Sequence, residues 1–239
     1  MMQAPRYALN IFAVDRPLTC CAGPVISRPP VGIAGLKIGS QGIVGVVLRD
    51  NARATLVLEA CRRLGIHAVW ATSPEELPLT VRVVVASREE KAMPSRLKTL
   101  YVEDYPSLDC LALHVASILG PSRPRSSLEV AIDPGQKLGV AYVVDGYVVK
   151  TSTYPHLGVF EEDCRRVVEC LGSERRLAFY IGYRPEALTH ELVSRLKKLY
   201  PNSTILLLPD DGTGPEFKGL SPDEEAALKI YFKAASENI

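Results

Sequence analysis

The chain has 239 residues, of which 47% are hydrophobic and 23% are charged, and its formal net charge is +1. This composition is that of a globular protein, and the length suffices for one large domain or two modest ones. The near-neutral charge excludes the chain-wide basic character of many nucleic-acid-binding proteins, so such binding would need a local basic face.

Hydropathy predicts no membrane segment, because no apolar run approaches the roughly 20 residues that span a bilayer. The start of the chain carries Arg6, Asp15 and Arg16 and lacks the apolar core of a signal peptide. We therefore expect a cytoplasmic protein. Asn and Gln are scarce while Arg, Glu and Pro are plentiful, a balance typical of thermophiles.

The cysteines predict no zinc site, since they form no Cys-x-x-Cys pair and no His-x-x-x-His accompanies them. Intracellular disulfides occur in thermophiles, but the positions alone leave the connectivity open. The six cysteines lie at positions 20, 21, 61, 110, 164 and 170.

The first half of the chain predicts a Rossmann-like α/β domain. Residues 1–41 are rich in Pro and Gly and predict a loop-rich arm with one short strand at 7–14. From Gly42 onward strands alternate with helices, which predicts a small parallel sheet with right-handed crossovers. The predicted strands are 43–48, 68–71, 81–86 and 99–102, and the predicted helices run from 51 to about 64 and from 107 to 119.

No dinucleotide fingerprint is present in this half, because its glycines precede the first strand instead of following it. We expect the half to support the fold or to dock a protein partner. The proline-rich, basic segment 121–127 reads as a linker. It divides the chain into the arm and Rossmann-like domain at 1–120 and a second domain at 128–239.

The second half predicts a mixed sheet with three helices. Its first three strands follow one another closely and read as an antiparallel meander. The predicted strands are 129–133, 138–144, 146–153, 177–181 and 204–208, and the predicted helices are 159–171, 185–200 and 221–235.

An apolar strand leading into Asp133-Pro-Gly opens this half, and a second strand with Gly139 and Ala141 follows. The segment resembles the opening of the RuvC and YqgF branch of the ribonuclease-H-like superfamily, where Asp-x-Gly-x-x-x-x-Gly-x-Ala is typical. The element order β-β-β-α-β-α-β-α is that of the same fold, and the resemblance covers roughly residues 127–235. A buried meander whose aspartate only caps a turn is the alternative.

The resemblance implies a carboxylate site that holds a divalent metal against a nucleic-acid phosphate. Two-metal phosphodiester cleavage needs several carboxylates around the ions, and Mg²⁺ prefers such oxygen ligands. Asp133 on the first strand and Asp223 on the last helix are the expected catalytic and metal-binding pair, close in space and binding Mg²⁺ or Mn²⁺. The supplementary metal ligands would be Glu224, Glu225, Asp210 and Asp211.

The chain departs from the family pattern at two acidic positions. Gly182 stands where a glutamate should end the fourth strand, and Ala226 replaces the second acid of the last helix. Structural roles compete for the remaining acids, because Ser221 to Glu224 reads as a capping box and Asp211-Gly212 as a plain turn.

Three functions stay open from the sequence. The leading hypothesis is a RuvC/YqgF-like protein that binds DNA or RNA through a partly eroded nuclease site. The second is a non-catalytic interaction or structural module, since a fold alone does not carry function. A remote third is an actin-like ATPase, because Asp133-Pro-Gly and Asp211-Gly-Thr-Gly loosely resemble its phosphate loops. A basic face for nucleic acid would comprise Arg165, Arg166, Arg175, Arg176 and Arg184, and a solvated helix end is the alternative.

Overall fold

The computed structural model describes residues 42–90, 93, 96–120, 127–172, 175–183, 187–209, 212, 214–217 and 219–237. All of these residues belong to one compact unit. The expected strand at 7–14, most of the expected linker, Arg184, Asp210 and Asp211 lie outside the described residues.

The first sheet has four strands, all parallel, in the order β2-β1-β3-β4. They are β1 (Val44–Val47), β2 (Ala68–Ala71), β3 (Val83–Ala86) and β4 (Lys98–Tyr101). Both central strands are buried along their whole length, because helices cover one face and connecting segments cover the other. Their continuous valine-rich sequence is therefore that of strands with two covered faces.

Two helices of the first half begin at side-chain caps. They are α1 (Asn51–Arg63) and α2 (Leu108–Leu119). The carboxylate of Asp50 accepts hydrogen bonds from two amides of the first turn of α1, and Ser107 does the same for one amide of α2. Beyond the end of α1, Gly65 has a φ of 68°, a conformation that glycine adopts without strain.

The second sheet has five strands in the order β7-β6-β5-β8-β9. An antiparallel meander is extended by two strands that run parallel to its first. The strands are β5 (Ser127–Pro134), β6 (Leu138–Val144), β7 (Tyr147–Tyr154), β8 (Arg176–Tyr183) and β9 (Thr204–Pro209). Asp145 and Gly146 both have positive φ at the β6–β7 turn, which is the signature of a tight hairpin.

Three helices accompany this sheet: α3 (Leu157–Leu171), α4 (Ala187–Leu199) and α5 (Pro222–Ser236). Helix α5 begins with the predicted capping box. The Ser221 hydroxyl accepts from the Glu224 amide, and the Glu224 carboxylate accepts from the Ser221 amide.

The apolar side chains form three clusters. The largest spans both sheets and includes Val44 and Val85 of the parallel sheet as well as Val130 of β5 and Phe160 of α3. Helices α2 and α3 pack against each other within it. A second cluster lies between α5 and the opposite face of the mixed sheet, and a third covers the outer face of the parallel sheet.

The α/β class is confirmed as a four-stranded all-parallel sheet and a five-stranded mixed sheet. The helical spacing of leucines over 185–200 predicts that Leu199 is buried like Leu192 and Leu196. For Leu199 this prediction is wrong: the residue is 39% exposed, because the helix ends there and the chain turns away at Pro201. The division into domains at 121–127 stays a prediction. In the part of the chain that the structure describes, no helix is both long and apolar enough to cross a bilayer.

Candidate functional site

Asp133 lies near the end of β5, on the face of the mixed sheet that α5 covers. Side chains alternate along a strand, and Ala131 packs in the α5 cluster while Val130 and Ile132 pack in the large one. Only 7% of Asp133 is exposed. The carboxylate is therefore a buried polar group beneath the last helix.

A row of residues crosses the sheet at this level. Asp133 pairs with Gly139 on β6, and Gly139 pairs with Thr153 on β7. Opposite residues of an antiparallel pair have Cα atoms about 4.5–5.5 Å apart and point to the same face. The row thus presents three groups to α5: the carboxylate of Asp133, the backbone of Gly139 without a side chain, and the hydroxyl of Thr153.

The first turn of α5 lies directly on this row. A Cβ atom on Gly139 would lie 1.8 Å from the backbone carbonyl oxygen of Asp223, so the helix start contacts the bare strand. The hydroxyl of Thr153 is 2.9 Å from that of Ser221. Asp223 is half-buried, and its backbone lies beside the strand that pairs with Asp133, although 90 positions separate the two aspartates in sequence.

The neighbouring acids of α5 have structural partners. One oxygen of Glu224 accepts from the amide and the hydroxyl of Ser221, at 3.0 and 2.8 Å. Glu225 forms an ion pair with Lys229 at 2.9 Å, one helical turn further on. Glu224 thus completes the capping box that the structural alternative predicted, and Glu225 forms an ion pair within the helix.

Gly182 flanks Asp133 on the other side. The parallel register pairs Ile132 with Ile181, so the next residues along the two strands, Asp133 and Gly182, are neighbours. The position that the family resemblance assigns to a glutamate therefore carries no side chain in this row. Of the predicted acids that the structure describes, Glu224 and Glu225 thus have structural roles at the start of α5.

The described residues of the predicted basic face lie on α3 and around the start of β8. Arg165 and Arg166 lie on α3, where Arg166 is ion-paired with Glu162. Arg175 donates to the carbonyl of Leu171, and Arg176 begins β8. These last two line an open pocket of about 480 Å³ with Tyr200. That pocket lies at the amino end of β8, whereas Asp133 lies beside the carboxyl end of the same strand.

A second polar cluster is buried between β6, β7 and α3. Lys150 donates to both oxygens of Asp163 at 2.7 Å, and the hydroxyls of Tyr142 and Tyr154 also donate to this carboxylate. Burial raises the pKa of both phenols. Burial also acts to raise the pKa of Asp163, but the bonds from Lys150 and Tyr154 outweigh it, and the net pKa is lowered. The carboxylate is therefore charged and the phenols are neutral, so the cluster serves as a structural ion pair of Lys150 and Asp163 with two tyrosine hydrogen bonds.

One cluster was missed by the sequence analysis. Cys110 of α2 and Cys170 of α3 form a disulfide, and a ring nitrogen of His114 lies within 4.8 Å of both sulfur atoms. The Nε2 atom of His114 is 2.9 Å from the carbonyl oxygen of Cys170. The spacing of Cys110 and His114, four residues apart on one helix face, was the available signal.

The chain matches no protein-family profile and no curated protein sequence. The candidate sites therefore rest on their geometry.

Proposed function

We propose that residues 127–237 form a ribonuclease-H-like domain of the RuvC/YqgF type, whose acidic site, among the residues that the structure describes, comprises Asp133 and Asp223. The first turn of α5 lying on the Asp133 row carries this proposal. The sheet order, with a meander extended by two parallel strands, and the element order of the expected fold support it. The parallel sheet before it would be the Rossmann-like partner domain.

Two carboxylates are enough for one Mg²⁺ or Mn²⁺ ion when a substrate phosphate completes the coordination, since Mg²⁺ is often held by one or two carboxylates plus phosphates. They are too few for the paired ions of a full nuclease. The ion would polarise the phosphodiester, while Asp133 and Asp223 would hold it beside the end of the central strand β5. We therefore propose a DNA- or RNA-binding protein with weak metal-dependent nuclease activity.

A non-catalytic interaction module is the second candidate. The 7% exposure of Asp133 favours it, because a buried carboxylate beneath a helix is poorly placed to meet a phosphate. The structural roles of Glu224 and Glu225 point the same way. In this case the protein would act through a protein partner, docked on the half that contains the parallel sheet.

The two candidates differ in their response to metal and salt. We would measure cleavage and binding of branched DNA and of RNA over a salt series, with Mg²⁺, with Mn²⁺ and with a chelator. The variants are Asp133→Asn and Asp223→Asn, and the control is Asp109→Asn, whose carboxylate is exposed on α2 and pairs with Arg63.

Metal-dependent cleavage that both site variants lose and the control retains would support the nuclease. Steeply salt-dependent binding without cleavage would leave a nucleic-acid-binding protein with a dead site. No binding at low salt would overturn the nucleic-acid proposal and leave the interaction module.

A further inference from the structure

We propose that Cys110, Cys170 and His114 form a redox-gated site for a soft divalent cation, with Zn²⁺ as the best match. The three residues come from two helices, and their ligand atoms lie within 4.8 Å of one another. Cys110 is buried, and the other two residues are half-buried.

The chemistry of the three side chains favours zinc over the hard cations of the acidic site. Two thiolates and one imidazole are the ligands that Zn²⁺ takes, at about 2.3 Å from sulfur and 2.0–2.1 Å from nitrogen. A tetrahedral ion with these bond lengths holds its ligand atoms roughly 3.5–4 Å apart. Reduction frees the two sulfur atoms to move from bonding distance to this spacing, and water can fill the fourth position.

The scaffold holds the ligands in place. The Cα atoms of the two cysteines are 5.7 Å apart, and α2 and α3 pack against each other. The ring of His114 is held beside Cys170 by the contact of its Nε2 with the carbonyl oxygen, and the ring of Tyr105 packs on it at 5.0 Å. A ligand that a second bond orients is the usual arrangement in metal sites.

The disulfide and the metal use the same sulfur atoms, so the two states exclude each other. A small dithiol reduces the bond by thiol–disulfide exchange. Two electrons and two protons pass to Cys110 and Cys170, and the dithiol is oxidised to a cyclic disulfide. Zn²⁺ then binds the two thiolates and displaces two protons. In the reverse direction, a small-molecule disulfide accepts two electrons, leaves as two thiolates, and Zn²⁺ is released as the Cys110–Cys170 bond forms.

The other thiols that the structure describes are poor competitors for the metal. Cys61 and Cys164 are buried, and burial raises the pKa of Cys61 to about 11 and that of Cys164 to about 12. A thiol binds metal as the thiolate, so these two stay protonated in the folded protein.

The test uses the full chain with Cys20→Ser and Cys21→Ser, so that only the four thiols above remain. The protein is reduced with a phosphine under anaerobic conditions and titrated with Co²⁺, followed by Zn²⁺ competition. We expect one Co²⁺ per chain, with thiolate-to-cobalt charge-transfer bands and the absorption of a tetrahedral ion, both abolished by excess Zn²⁺. The oxidised protein should show neither the charge-transfer bands nor the absorption of tetrahedral Co²⁺.

Matched variants locate the site. Cys110→Ser, Cys170→Ser and His114→Ala should each weaken binding by about tenfold or more, since even outer partners of a metal site are worth that much. Cys61→Ala and His67→Ala, which change a thiol on α1 and an exposed imidazole after it, should leave binding unchanged. Circular dichroism would verify that every variant is folded.

Two results would overturn the proposal. One is a folded, reduced chain that takes up no more Co²⁺ than the Cys110→Ser variant, which would make the disulfide a structural bond only. The other is equal Co²⁺ binding by the oxidised and reduced proteins, which would place the metal elsewhere.

Discussion

The carbonyl oxygen of Asp223 occupies the space that a side chain on Gly139 would need. The separation from an added Cβ would be 1.8 Å, and the neighbouring carbon of the Asp223 carbonyl would be at 2.3 Å. Both are backbone atoms of a capped helix start and cannot rotate aside. The glycine therefore determines how closely the last helix approaches the mixed sheet.

Gly139→Ala should force the first turn of α5 off the sheet. We expect a loss of about 3 kcal/mol or more in the free energy of unfolding, at or above the upper end of typical overpacking costs, measured by urea denaturation. Gly158→Ala is the control, because a Cβ there meets nothing nearer than the His156 ring at 3.5 Å. In a helix this change should be neutral or stabilise by up to about 1 kcal/mol. Equal effects of the two variants would contradict the described packing.

Lys150→Met should leave the partly buried carboxylate of Asp163 without its positive partner. Both side chains of this ion pair are about one-fifth exposed, and removing one partner of such a pair leaves an uncompensated charge. We expect a loss of about 2–4 kcal/mol at neutral pH. The control is Glu191→Gln, which breaks an exposed ion pair with Arg195 and should cost less than about 1 kcal/mol.

The same carboxylate predicts a pH dependence of stability. Because the pKa of Asp163 is lowered in the folded state, its contribution is fully present above the ordinary aspartate pKa of about 4. It is lost as the pH falls through the lowered value. Asp163→Asn should flatten this acid-side slope in unfolding measurements between about pH 2 and 5. An unchanged slope would assign the acid sensitivity to other carboxylates.

Breaking the Cys110–Cys170 bond should lower stability by up to about 4 kcal/mol, because cross-linking two residues 60 positions apart restricts the unfolded chain. Unfolding of the oxidised chain would be compared with that of the Cys110→Ser/Cys170→Ser variant, without metal. A phosphine reductant should lower the stability of the parent chain and leave that of the variant unchanged. A reductant effect on both would point to another bond.

Much of the fold followed from local signals in the sequence. Neighbouring residues determine three such features: the valine run of β1, the cap at Asp50 and the Asp145-Gly146 turn. The strands and the helix that contain or flank them were therefore predicted within a few residues. The spacing of Ser221 and Glu224 likewise predicted the start of α5. The prediction that Leu199 is buried was wrong, because helical periodicity does not show where the chain leaves the helix.

The candidate sites depended more on tertiary contacts. The strand-turn pattern around Asp133 was visible in the sequence, but its burial follows from the approach of α5 to Gly139, which no local pattern encodes. The Cys110–Cys170 pair joins two helices from different halves of the chain. A search for closely spaced cysteines could not find it, and the Cys110–His114 spacing alone is common on helices.

The disulfide also closes a covalent ring that contains the whole β5–β7 meander. A single cut by a protease anywhere between Cys110 and Cys170 opens this ring and leaves two fragments joined through sulfur. In the reduced protein, the same cut leaves the fragments associated only through packing. The oxidation state therefore decides whether a nicked chain stays one molecule after denaturation, a difference that electrophoresis with and without reductant would reveal directly.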